Sequence, residues 1–187
     1  MRFFITGLPR SRTAWLATLA DMVPNAVCHH EPTTWFDRWQ DVETIWGESE
    51  AGHVGISDSC LGFRLGDILD HYGPRVLVVA RPMEEVAASL EAIGLPVAHK
   101  ALAILWGRIH PYLDDPLVRV VPYDALYDEV TVFSCLKHLM PDAHIDPAKV
   151  GRMMSMNVQA DTTFTMARAK GKDVTRLLGP EITAALH

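Results

Sequence analysis

The chain has 187 residues, enough for one domain with a sizeable core and short for two. About half of it is apolar (49%) and 21% is charged, a balance ordinary for a soluble globular protein. A formal net charge of −6 argues against a broadly basic nucleic-acid-binding surface and leaves room only for a local basic pocket.

The first residues give a short strand over 2–6, broken by Gly7 and Pro9, and a helix over 13–22. A second short strand is expected at 25–29, followed by an aromatic-rich helix over 34–46. A third strand at 53–57 leads into a helix over 61–71. The run RVLVVA at 75–80 is continuous and β-branched, as suits a strand buried on both faces. Pro82 then opens a helix whose first turn carries Glu84 and Glu85, where the helix dipole favours them. That helix ends at Gly94 and Pro96. Another is expected over 98–113, a fifth strand over 117–121 and a helix over 130–139. The tail from 146 reads as helices and loops. Strands alternating with helices predict an α/β fold, with a mainly parallel central sheet between two helical layers, built as one domain over 1–187. Ligands of such sheets bind at the carboxyl ends of the strands.

No apolar stretch approaches the roughly 20 residues of a membrane helix, and only three apolar residues follow Met1-Arg2, so no secretory signal is expected. The three cysteines, Cys28, Cys60 and Cys135, are odd in number and widely spaced. They fit a reducing compartment, and the expected location is cytoplasmic.

The segment GLPRSRTAWL, residues 7–16, lies where the first strand meets the first helix. Gly7 permits backbone angles closed to other residues, and Pro9 stiffens the turn. The helix start offers unpaired N–H groups and the positive end of a dipole. Arg10 and Arg12 add forked donors that match tetrahedral oxyanions, and Ser11 and Thr13 add hydroxyls. Together these describe a phosphate or sulfate site. The common phosphate-loop pattern G-x-x-x-x-G-K-[ST] is not met. Its second glycine and lysine are absent, and Ala14 stands where the magnesium-holding hydroxyl belongs.

GLPRSRTAWL resembles the 5′-phosphosulfate-binding loop of the P-loop sulfotransferases, roughly x-x-P-[KR]-S-G-T-x-W-L. Pro9, Arg10, Ser11, Thr13, Trp15 and Leu16 match, and Arg12 replaces the glycine. VVARPMEEVAASL resembles the same family's 3′-phosphate segment, with Arg81 and Ser89 in the arginine and serine places. Read alone, Arg81 is equally a capping or ion-pair arginine, and Ser89 a packing residue. Weaker echoes are HHEP at 29–32, VRVVPYDALYDE at 118–129 and RAKGKDVTRLLGPEI at 168–182. The resemblance implies a compact, bacterial- or phage-like sulfotransferase that uses 3′-phosphoadenosine 5′-phosphosulfate and no metal. Its cofactor-binding residues would be Gly7, Pro9, Arg10, Ser11, Arg12, Thr13, Ala14, Arg81 and Ser89. Arg10 would stabilise charge on the leaving phosphate. Glu31 is the first candidate for the base that takes the acceptor's proton and His30 the second; a helix-capping glutamate and a core histidine are the plainer readings.

Cys28-His29-His30-Glu31 has metal-ligating residue types, but neighbours on a strand face opposite ways and no second cluster supports it. Trp35, Trp39 and Trp46 recur at helical spacing and read first as core, with an aromatic wall for an acceptor or lid as the alternative. Asp58 and Asp67 are left between an active-site and a surface role. The acceptor and the oligomeric state stay open. Two rival readings remain: a P-loop small-molecule or nucleotide kinase, and a non-catalytic nucleotide-binding module of the same fold.

Overall fold

The structure is a computed structural model and describes residues 1–95 and 99–155. Five strands form one sheet: β1 (Arg2–Gly7), β2 (Ala26–His30), β3 (His53–Ser57), β4 (Arg75–Ala80) and β5 (Val118–Pro122). The spatial order is β2-β3-β1-β4-β5, and every pairing is parallel. The described helices are α1 (Thr13–Asp21), α2 (Val42–Glu48), α3 (Leu65–Tyr72), α4 (Met83–Glu91), α5 (His99–Ile109), α6 (Glu129–Leu139) and α7 (Pro147–Met154).

The apolar runs of β1 and β4 split between two cores because successive side chains alternate across a sheet. Phe3, Ile5, Leu77 and Val79 meet α1, α6 and α7 on one face. Phe4, Val76 and Val78 meet α2, α3, α4 and α5 on the other. Each fully buried aliphatic of this kind contributes roughly 1.5–3 kcal/mol. The division of helices follows from direction of travel. The crossover from β1 to β2 runs one way along the sheet, and those reaching β3, β4 and β5 run the other way. Right-handed crossovers moving in opposite directions must lie on opposite faces.

Adjacent strands β1 and β4 therefore send their chains off in opposite directions. That leaves a crevice above their carboxyl ends, where ligands of open parallel sheets bind. The strands can approach there because position 7 has no side chain. A Cβ on Gly7 would lie 2.5 Å from the Val79 carbonyl oxygen.

The segment expected as one helix over 34–46 is instead a 3-10 turn at Pro32–Thr34, another at Trp39–Asp41, and then α2. The Asp41 carboxylate accepts the N–H groups of Asp37 (3.3 Å) and Arg38 (3.0 Å), which competes with helical bonding there. Trp39 and Trp46 are buried, edge-on to Tyr72, while Trp35 is 52% exposed. The core reading of the tryptophans thus holds for two of them, on separate elements. The helix expected over 61–71 likewise begins with a 3-10 turn at Cys60–Arg64. Among the described residues no helix is long and apolar enough to cross a membrane.

Candidate functional site

The loop from Gly7 to Thr13 wraps the carboxyl end of β1. Two of its residues, Arg10 (φ 64°) and Arg12 (φ 60°), take the left-handed backbone conformation. Among the described residues two more non-glycine residues are of this kind: Glu31 (φ 46°), which follows β2 at the same end of the sheet, and Asn25, which precedes β2 at the far end. Each such residue costs about 1–3 kcal/mol, and strain of this sort gathers at ligand-binding sites.

α1 starts without a capping side chain and without an acidic residue in its first turn. Its first closed turn joins the Leu16 N–H to the Arg12 carbonyl at 2.9 Å. The N–H groups of Thr13, Ala14 and Trp15 thus have no partner within the helix. Ser11 is fully buried, and its hydroxyl has no hydrogen-bond partner. A buried hydroxyl without a partner carries a desolvation cost of about 1–3 kcal/mol. A phosphate or sulfate oxygen seated in the loop would remove it. The residues present therefore fit such an anion.

Arg81 leaves β4 beside this loop. Its Nη1 donates to the Arg10 carbonyl at 2.6 Å, and its Nε donates to Glu85 at 3.3 Å. Its guanidinium lies 4.1 Å from the centre of the Tyr123 ring. Arg10 in turn donates from Nε to the Ser89 hydroxyl on α4 at 3.3 Å. The structure thus brings Arg10, Arg81 and Ser89 into one hydrogen-bonded junction. Only part of each guanidinium's five-donor set is used in it.

Arg12 does something else. Its guanidinium is 3.9 Å from the Tyr127 ring centre, 5.3 Å from Tyr123 and 5.2 Å from Trp15, and it donates to the Leu126 carbonyl at 3.3 Å. The left-handed backbone that a glycine would take is present at position 12, and the side chain is parked on an aromatic cluster. Tyr123 and Tyr127 were not foreseen as site residues; their four-residue spacing just past β5 was the available signal.

Glu31 and His30 come from a strand that does not neighbour β1. They leave β2, which is separated from β1 by β3, two inter-strand steps or about 10 Å. His30 Nε2 lies 3.8 Å from Glu31 Oε1, beyond hydrogen-bond range. Burial pushes the Glu31 carboxyl up to about 7, and the nearby Asp58 adds to the shift. Burial pushes the His30 ring down to about 4. Asp58, undecided from sequence, is fully buried at the end of β3 between these groups and the loop. Its main-chain carbonyl accepts the Thr6 hydroxyl at 2.9 Å, and the preceding Ser57 hydroxyl donates to the Thr13 carbonyl at 2.9 Å. Asp67, on α3, instead pairs at 3.2 Å with Arg64 at the end of the preceding 3-10 turn. No group of three or more ligating side chains suited to a metal is found among the described residues. The segment 168–182 lies outside the described residues.

No protein-family model matches the chain, and no curated protein matches it in sequence.

Proposed function

We propose that this chain is a sulfotransferase of the P-loop type, moving a sulfuryl group from 3′-phosphoadenosine 5′-phosphosulfate to a hydroxyl or amine. The observation that carries the reading is the junction of Arg10, Arg81 and Ser89 above the crevice between β1 and β4, beside the unpartnered Ser11 hydroxyl. Two anion-suited corners side by side match a ligand with two separate phosphates. The N–H groups at the start of α1, with Ser11, Thr13 and Arg10, would hold the 5′-phosphate. Arg81 and Ser89 would take the 3′-phosphate.

When bound, the donor supplies an activated sulfuryl group whose transfer spreads negative charge over its oxygens. What the protein must supply is position and fixed positive potential. Arg10 stays protonated, so it stabilises charge on the departing phosphate as an electrostatic partner and not as a proton donor. Glu31 takes the acceptor's proton. A base works best with its pKa near the working pH, and Glu31 at about 7 meets that condition better than His30 at about 4. A cytoplasmic setting and a compact, bacterial- or phage-like place within the family belong to the same proposal.

Calorimetric titration tests the reading. The expected result is binding of 3′-phosphoadenosine 5′-phosphate in preference to adenosine triphosphate with magnesium. Preference for the triphosphate would replace the reading with a kinase. Binding of the bisphosphate with no transfer to a broad panel of alcohols and amines would favour the non-catalytic module.

A further inference from the structure

We propose that Asp58 is the positioning residue for Glu31: it pins the turn that carries Glu31 and holds a fixed negative charge behind that carboxyl. The inference rests on the reading of Glu31 as the acceptor-side base. It starts from strand register. His30 pairs with Ser57 where β2 and β3 end, so Glu31 and Asp58 are the first residues beyond the same rung. The Glu31 N–H donates to the Ser57 carbonyl at 2.8 Å, and the chain then turns left-handed into Pro32–Thr34.

Asp58 closes that turn. Its Oδ2 accepts the Thr33 N–H at 3.2 Å and the Thr33 hydroxyl at 2.6 Å. Its Oδ1 accepts the Leu61 N–H at 3.0 Å. One buried carboxylate therefore ties the turn after β2 to the turn after β3. A hydroxyl at 2.6 Å is the separation of a bond to an ionised carboxylate, and a carboxylate surrounded by donors acts as acceptor only. Burial holds Asp58 above its ordinary value, and the bonds from Thr33, Leu61 and Cys60 offset part of that rise. Among the described residues, Glu31 has no comparable set of donors.

Among the described residues, the titratable groups facing Glu31 are Asp58, His30 and Cys60. His30 is neutral above its low pKa and brings no compensating charge. Hydrogen bonds to the charged form favour it, so in a carboxylate pair the member with fewer donors holds its proton to higher pH. Here that member is Glu31, which yields the proton only near neutrality and can then accept one from the acceptor.

The test is the midpoint of the Glu31 side-chain carboxyl, followed by carbon NMR in the full chain and assigned with Glu31→Gln. Asp58→Asn keeps the shape, removes the charge and leaves one of the two acceptor oxygens. It is expected to lower the Glu31 midpoint by about one pH unit or more. Thr33→Val removes one donor from Asp58, moves the pair's proton toward Asp58, and is expected to lower the Glu31 midpoint by roughly half a unit. A Glu31 midpoint that stays put in folded Asp58→Asn overturns the proposal. Should that variant fail to fold, an unmoved midpoint in Thr33→Val overturns it equally. Calorimetry with 3′-phosphoadenosine 5′-phosphate on the same samples separates the two ideas. Binding with an unmoved midpoint sinks only the role of Asp58. A moved midpoint without binding sinks only the sulfotransferase reading.

Discussion

The Arg81 guanidinium grips the main-chain carbonyl of Arg10 at 2.6 Å, across 71 positions of sequence. The contact joins the ends of β1 and β4, the two strands whose connections part company at the crevice. It also holds a left-handed residue in place, so part of its energy offsets strain in the loop.

Arg81→Lys keeps the charge but loses the fork that reaches the Arg10 carbonyl and, in the sulfotransferase reading, a phosphate as well, together with the stacking on Tyr123. Affinity for 3′-phosphoadenosine 5′-phosphate is expected to fall about 10- to 100-fold, or about 1.4–2.8 kcal/mol. The control is Arg108→Lys, exposed on α5. Equal affinities in calorimetry would remove Arg81 from the site.

Gly7→Ala places a methyl group 2.5 Å from the Val79 carbonyl oxygen, a backbone atom that cannot turn aside. β1 and β4 must separate to admit it. A loss of about 1–3 kcal/mol is expected in urea denaturation. Full stability would mean that the strands are less closely seated than described.

Replacing Arg12 separates two opposing effects. Glycine would relieve the left-handed backbone, about 1–2 kcal/mol, while giving up the contacts with Trp15, Tyr123 and Tyr127, about 0.5–2 kcal/mol. Arg12→Gly should therefore stay within about 1 kcal/mol of the parent. Arg12→Ala keeps the strain and loses the contacts, so it should be less stable than Arg12→Gly by about 1 kcal/mol. The reverse ranking in denaturant titrations would contradict this account.

Stability should depend on pH through Glu31 and His30 with opposite signs. The folded Glu31 keeps a proton that the unfolded chain releases near its ordinary value of 4.5. Its contribution is complete below that value and is lost as pH rises through about 7. The folded His30 releases a proton that the unfolded chain keeps, so its contribution grows from about 4 to 6.5. The two partly cancel in the parent protein. Glu31→Gln leaves only the His30 rise, and its stability relative to the parent should climb by on the order of 2 kcal/mol from pH 5 to 7.5. A flat difference across that range would show that Glu31 is not shifted. In the sulfotransferase reading, transfer should also rise with pH through an apparent midpoint near 7.

The strands were legible because a β-branched run bounded by Gly, Pro or Asn has few other uses, and β4 was read to the residue. The loop after β1 was legible because its charges and hydroxyls are contiguous. The segment 34–46 misled because tryptophan spacing signals a shared face but does not show whether the backbone between is helical. Asp41 interrupts it by taking two N–H groups. Asp58 was not legible because its importance depends on Thr33 and Leu61, which strand pairing brings to it. Arg12 was read as a cradle residue because its neighbours are. Its side chain answers to Tyr127, more than a hundred positions away.

A bond from a side chain to a main-chain oxygen has no preference about the residue that owns the oxygen. Among any descendants of this chain, position 81 is therefore held to arginine by an oxygen that any residue at position 10 would supply, while the side chain at position 10 answers to Ser89 instead. Substituting the side chain at position 10 would leave the Arg81 bond to its carbonyl in place.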